Sequence, residues 1–304
     1  MRCAAGQTGG TMLPMALRAR LTARQRRFLL DQGYLVVSSL LDRAVLARIT
    51  DRLQGLVRQT IAAWAEEPGL DTSEGCVVAS FDVADLDFAP CHQHPLLADA
   101  ATVVLGDPWF VRDLDLRAPI PGCGEQGLHP DYAERRIAGP WQTLSAMWCV
   151  TPFTRDSGPL RVIPGSHRRS EPPIDTEHGY ATGMGPHPDE VKITAPPGSV
   201  ILFNASDLWH SGTFNYTPAA RLALTVHFDP GTRTPPPAPE EPDDQPGPRR
   251  AGSAGTGLVG AWWLAVPGRG CSVRGEGVPC PTSKRSCTAS SRTAGPRCWP
   301  SLTG

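Results

Sequence analysis

The octapeptide Arg221 to Phe228, Arg-Leu-Ala-Leu-Thr-Val-His-Phe, alternates without a break between large hydrocarbon side chains and small or polar ones. Successive side chains of an extended strand point to opposite faces. Leu222, Leu224, Val226 and Phe228 therefore form one apolar face, and Arg221, Ala223, Thr225 and His227 form the other. Such a strand needs hydrocarbon behind it and room for a polar occupant in front. A sheet with helices packed on its outer face and a ligand-sized space on its inner face meets both demands.

The flanking sequence agrees with that architecture. Thr22 is a good N-cap for a helix over Ala23 to Gln32, and Gly33 supplies its stop. A short strand is expected at Tyr34 to Val37. Asp42 then caps a second helix whose apolar stripe is Leu46, Ile49, Leu53, Leu56, Val57 and Ile61. Arg43, Arg48, Arg52 and Arg58 lie between these positions and read as a solvated outer face. Periodicity is weak from Pro68 to Glu125, where one helix (His94 to Leu105) and one strand (Phe110 to Leu116) are expected. Short strands separated by Gly and Pro turns follow at Trp141 to Val150, Leu160 to Ile163, Val191 to Thr194 and Ser199 to Phe203. Helices first and antiparallel strands afterwards predict a mainly β fold with helical cover. The expected core is a β-sandwich or barrel of the jelly-roll type, with the N-terminal helices packed outside.

Composition sets the boundaries. The 75 residues from Pro230 to Gly304 include 13 Pro and 12 Gly, too little apolar surface to offset ordering entropy. The expected organisation is an N-terminal extension over 1–20, one domain over 21–233, and a Pro/Gly-rich tail over 234–304. The tail also resembles out-of-frame translation of GC-rich DNA, and its Trp262-Trp263 pair is the one docking motif it offers. With 29 Lys plus Arg against 30 Asp plus Glu, the chain has no basic field to hold nucleic acid or anionic membrane. Its longest apolar run, Leu258 to Val266, is far too short for a bilayer-spanning helix. Cys3, Cys76, Cys91, Cys123 and Cys149 are scattered, with no C-x-x-C pair, and read as reduced thiols. A cytoplasmic protein, monomeric or homodimeric, acting on a small molecule is expected.

The residues that suggest chemistry are His129-Pro130-Asp131, His210 and Arg221. Residues i and i+2 of an extended strand project to the same side, so His129 and Asp131 can reach one ion. With His210 they would supply two imidazoles and one carboxylate to one face of a metal, leaving three positions open, as in non-haem Fe(II) oxygenases. Taken singly, each piece has a plainer reading: H-x-D arises by chance, His210 beside Trp209 suits a turn, and Arg221 suits a surface strand. Arg221 on an inner face needs an anion. Its planar fork takes a carboxylate through two hydrogen bonds, and the distal carboxylate of 2-oxoglutarate is the candidate.

Several ordered motifs resemble the phytanoyl-CoA dioxygenase family. They are Leu21-Thr22 with Gln32 to Val37, then Gly124 to Asp131, Gly158 to His167, and Pro197 to Phe203 with His210-Ser211-Gly212, Asn215 and Arg221. The resemblance runs from about Leu21 to Asp229. It implies a cupin-like double-stranded β-helix, and an Fe(II)- and 2-oxoglutarate-dependent dioxygenase that uses O2 and hydroxylates a small molecule. By position, His129, Asp131 and His210 would be the iron ligands and Arg221 the partner of 2-oxoglutarate. Gln126 and Trp148 would lie beside the ligands or the co-substrate. Gly212 stands where family members often carry a hydroxyl that assists the arginine, so Ser211 or Thr213 is expected to substitute. The carboxylate of Asp131 argues against halogenation. The turn Pro164-Gly165-Ser166-His167 is read as structural. Arg135, Arg136, Arg155, Arg168 and Arg169 could pair with a substrate phosphate, as in a coenzyme A ester, or be solvated surface. Two other classes remain: a zinc-dependent hydrolase, which gives Arg221 no task, and a non-catalytic or degenerate jelly-roll binding protein.

Overall fold

The computed structural model describes residues 20–66, 75–170 and 185–232. The expected N-terminal extension, apart from Arg20, and the whole of the expected tail lie outside them. Helix α1 (Ala23–Gln32) starts in a capping box: Thr22 Oγ1 accepts from Gln25 N, and Gln25 Oε1 accepts from Thr22 N. It ends at Gly33, whose left-handed backbone (φ 78°) a side chain would strain. Strand β1 (Tyr34–Val37) and helix α2 (Arg43–Glu66) follow, the helix capped by Asp42 Oδ1 on Ala44 N at 2.7 Å. Next come β2 (Cys76–Phe81), a short α3 (Ala89–His92), and α4 (Pro95–Leu105), for which His94 is the N-cap. Strands β3 (Trp109–Pro119), β4 (Leu144–Cys149), β5 (Leu160–Val162), β6 (Val191–Lys192), β7 (Val200–Phe203), β8 (His210–Gly212) and β9 (Ala223–Pro230) complete the order.

The strands form two antiparallel sheets, one of six strands in the order β1-β7-β4-β9-β3-β2 and one of three in the order β6-β5-β8. They face each other without closing into a barrel. The outer face of the large sheet carries Leu35, Leu114, Leu116, Ala146, Trp148, Leu202, Leu224, Val226 and Phe228 into one core with Leu29 of α1, Ile49, Leu53 and Val57 of α2, and Leu97, Ala101 and Val104 of α4. The space between the sheets holds a second apolar cluster: Met147, Cys149, Ile201, Phe203 and Ala223 from the large sheet, Leu160 and Val162 from the small one, and Phe153. Both faces of β9 thus serve as its alternation demands. The arginines of α2 are not all solvated, since Arg52 bonds Asp85 and Asp87 and lies over the Phe88 ring. Among the described residues no helix is long and apolar enough to cross a membrane, and Cys76, Cys91, Cys123 and Cys149 are free thiols.

Candidate active site

The loop after β3 returns to the small sheet and pairs with it at one point. His129 N donates to His210 O and His210 N to His129 O, both at 3.0 Å. That narrow bridge sets the two imidazoles side by side, with ring centroids 5.0 Å apart. Two residues on, Asp131 N donates to Ala205 O at 2.9 Å, which turns the Asp131 carboxylate back toward the rings. Asp131 Oδ1 lies 3.6 Å from His129 Nε2 and 3.4 Å from His210 Nε2.

The orientation of each ring bears on metal binding. His129 Nδ1 is 2.7 Å from Gly127 O, and His210 Nδ1 is 2.8 Å from Leu208 O. A carbonyl only accepts, so each Nδ1 carries a proton and each Nε2 is the nitrogen that faces Asp131 and can ligate an ion. Donors set about 2.1 Å from one ion at right angles would be about 3 Å apart, so each of these two separations would contract by about half an ångström on an ion. Among the described residues no arginine is hydrogen-bonded to Asp131, leaving its negative charge for an ion. The carboxyl is held far below its ordinary range: burial alone would raise it, but His210 and His129 outweigh that. Burial and the neighbouring His210 lower His129. For His210 burial also lowers, but Asp131 overrides it and the group is raised. The donor set fits a divalent transition metal.

Arg221 precedes β9, and its side chain enters the space between the sheets. It is 5% exposed. Its Nε donates to Gly158 O at 3.1 Å, Nη1 to Arg117 O at 3.5 Å, and the guanidinium lies 4.5 Å from the Phe153 ring centroid. Among the described residues no carboxylate pairs with it. Burial pushes this guanidinium down to about 10. A buried cation without an anion is costly, and this guanidinium has capacity to take one.

Gln126 lies within the ligand loop. Its backbone N donates to Gly212 O, and its Oε1 accepts from Gly212 N at 3.2 Å. A Cβ on Gly212 would meet Gly124 O at 3.0 Å and Gln126 Oε1 at 3.3 Å. The glycine that departs from the family pattern therefore admits the Gln126 carboxamide. Neither expected substitute hydroxyl reaches Arg221. Ser211 Oγ accepts from Arg161 Nε at 2.6 Å, and Thr213 Oγ1 donates to Pro159 O at 2.7 Å. Trp148 is also elsewhere: it is fully buried on the helical face, its Nε1 donating to Cys91 O at 2.9 Å. Because every residue of β4 is buried, its sequence carries no sign of which side faces the site.

Two groups have larger roles than their sequence suggested. Arg161, buried in β5, clamps the site from behind: Nε to Ser211, Nη2 to Gln126 O, and Nη1 to Glu190 Oε2 and Gly185 O. It thus joins the neighbours of His210 and His129. Within the turn of the Pro-Gly-Ser-His motif, Ser166 Oγ accepts from Trp209 N at 2.9 Å, and His167 Nε2 is 3.0 Å from Leu30 O. That turn anchors the residue before His210, as a structural motif should. Of the arginines considered for a phosphate, Arg168 and Arg169 pair with Asp31 and Asp189, and Arg135 bonds Ser166 O.

The inner face of β3 adds a group that sequence reasoning missed. The pairing of β3 with β9 slips between Val111 and Asp113. Such a bulge re-aims side chains, and here it leaves Arg112 beside Asp113. Asp113, Asp115 and Arg117 then follow on the face shared with Thr225 and His227. Arg112 Nε donates to Asp113 Oδ2 at 2.8 Å and Arg117 Nε to Asp115 Oδ2 at 2.7 Å. Arg112 Nη1 also reaches Tyr132 Oη and Asp229. His227 Nε2 stands 3.4 Å from Asp115 Oδ1 and 3.9 Å from Asp113 Oδ1, and its Nδ1 is 2.8 Å from Ser145 Oγ. The only sequence sign of this cluster is the inward position of His227.

Comparison with known proteins is consistent with this geometry. The profile of the phytanoyl-CoA dioxygenase family matches residues 29–223. An uncharacterized Mycobacterium tuberculosis protein, Rv1501, is 27% identical over 203 residues, covering 64% of this chain and 71% of that one. Dioxygenase trt7 of Aspergillus terreus is 34% identical over 137 residues, 43% of this chain and 44% of that one. Among solved structures, EctD from S. alaskensis, crystallised with 2-oxoglutarate and 5-hydroxyectoine, superposes with a TM-score of 0.52 at 23% identity over 70% of this chain and 77% of that one. HygX from Streptomyces hygroscopicus, with nickel and 2-oxoglutarate, gives 0.54 at 17% identity over 70% and 88%.

Proposed function

Because the chain belongs to the phytanoyl-CoA dioxygenase family, it is a non-haem iron dioxygenase that uses 2-oxoglutarate, and we propose that it hydroxylates a C–H bond of a small molecule. The observation that carries the reading is the convergence of His129 Nε2, His210 Nε2 and Asp131 Oδ1, with both Nδ1 atoms tied to carbonyls. These three residues would hold the iron. Bound there, iron and 2-oxoglutarate supply oxygen activation: one oxygen atom goes to the substrate and one to succinate, with release of carbon dioxide.

The chain's own work is placement and exclusion of water. Arg221 takes the distal carboxylate of 2-oxoglutarate through its fork and, in doing so, gains the anion its pocket lacks. Phe153 covers the guanidinium. Leu160, Val162, Ile201, Phe203 and Ala223 line the same space with hydrocarbon, which strengthens that ion pair by lowering the local dielectric. The Gly127 and Leu208 carbonyls keep both imidazoles in the ligating tautomer. Asp131, 27% exposed at its side chain, stays ionised and borders the open side from which substrate approaches. A zinc hydrolase leaves the buried, unmatched Arg221 without a purpose.

The test is succinate formation by the purified full chain with Fe(II), 2-oxoglutarate and O2. Iron-dependent succinate that disappears in His129→Ala and Asp131→Ala is expected. Undiminished succinate in either variant would refute the ligand assignment.

A further inference from the structure

The two imidazoles of the triad stand on backbone that is thinly joined. Strand β8 is three residues long and forms its ladder with β5, where Val162 lies opposite His210. The segment carrying His129 is in neither ladder and meets β8 at a single isolated bridge. Two hydrogen bonds fix where two backbones touch but leave the angle between them soft. The separation of the two Nε2 atoms depends on that angle, so a further tie has to hold it.

Arg161 supplies the tie. Its neighbours Leu160 and Val162 face the space between the sheets, so alternation sends Arg161 to the opposite face, behind β8 as seen from the triad. There its side chain is 2% exposed. Nε donates at 2.6 Å to the hydroxyl of Ser211, which is its register partner and follows His210. Nη2 donates at 3.0 Å to the carbonyl of Gln126, three residues before His129. One rigid plane thus joins β5, β8 and the His129 segment. The rest of the fork is anchored as well: Nη1 donates to Gly185 O and, at 2.9 Å, to Glu190 Oε2. Glu190 is in turn fixed by His187, whose N donates to the same Oε2 at 3.1 Å and whose O accepts from Glu190 N at 3.1 Å.

Stability alone is a poor reason for this arrangement. Desolvation of a buried ion pair largely cancels its attraction, and well-packed hydrocarbon often holds a fold equally well. What hydrocarbon lacks is direction. Lysine would keep the charge but replace the planar fork with a point charge, which cannot bond Ser211, Gln126 and Glu190 in set directions. Resting on the ligand assignment above, we infer that Arg161 is a positioning residue: braced by Glu190, it sets the approach of the His129 and His210 imidazoles and, through it, the strength and geometry of metal binding.

The test titrates the full chain with Co(II), whose visible absorption reports coordination geometry as well as occupancy. Arg161→Lys should bind the ion about 10- to 100-fold more weakly, the usual cost of losing a group that orients metal ligands, and its absorption bands should shift. Ser211→Ala, which removes one of the three ties, should move both readouts the same way by less. An unchanged affinity in Arg161→Lys would overturn the inference. So would weaker binding with unshifted bands, because general loosening of the fold does not require a new ligand geometry. If Arg161→Lys does not fold, Ser211→Ala decides by the same two criteria. A wild type that takes up no Co(II) would overturn the ligand assignment itself, and the inference with it.

Discussion

Among the described residues, two clusters gather three imidazole or carboxylate donors within 4.8 Å of one another: His129, Asp131 and His210, and Asp113, Asp115 and His227. Distance does not separate them, but the commitments of their charges do. In the second cluster each carboxylate already has a guanidinium on one oxygen, Arg112 on Asp113 and Arg117 on Asp115. In the first, both imidazoles are fixed in the ligating tautomer and Asp131 has no arginine bonded to it. Arg221 belongs with the first cluster in this respect, as a buried charge still lacking its opposite. A site built for an absent ion or co-substrate shows as uncompensated charge, and a structural wall shows as compensated charge.

That comparison predicts opposite signs for similar substitutions. Arg221→Leu removes a buried cation that nothing matches, so the ligand-free protein should gain about 1–4 kcal/mol in denaturant unfolding while 2-oxoglutarate affinity falls roughly a hundredfold or more. A variant that lost stability and kept its affinity would break the comparison at once. Arg117→Leu strands Asp115 instead and should cost about 3 kcal/mol in the same unfolding measurement. A neutral result would mean that the second cluster is not balanced as described.

A smaller effect sharpens the point through pH. Burial raises the Asp115 carboxyl, but His227 and Arg117 outweigh it and hold the group at about 2. A folded-state value below the unfolded one gives stability that is present above about pH 4 and lost as pH falls toward 2. Asp115→Asn should therefore be about 2 kcal/mol less stable than the wild type at neutral pH, with the difference vanishing by about pH 2. A difference that stayed constant over that range would assign the loss to packing.

How far these features could be read from residues alone follows from what kind of contact makes them. The bounds of α1 were legible because Thr22, Gln25 and Gly33 act within one turn. The two faces of β9 were legible because Leu222 to Phe228 alternate, and the triad because His129 and Asp131 share a strand spacing. Strand β2 was not, since an edge strand open to solvent on its inner side has no apolar alternation to show. The side taken by Trp148 was hidden by a strand buried on both faces. Arg112 and Asp113 owe their pairing to a bulge that no local pattern announces, and Arg161 looks like any strand arginine until Ser211, Gln126 and Glu190 surround it. Gly212 reads as a missing hydroxyl in sequence, whereas Gln126 fills the space.

The central claim is that the uncompensated cluster binds the metal and the compensated one does not. Anaerobic equilibrium dialysis of Fe(II) followed by elemental analysis tests it on three proteins: wild type, His129→Ala/His210→Ala, and Asp113→Ala/His227→Ala. The account predicts one ion per chain in the first, none in the second and one in the third. Two ions in the wild type, or an ion retained without His129 and His210, would contradict it.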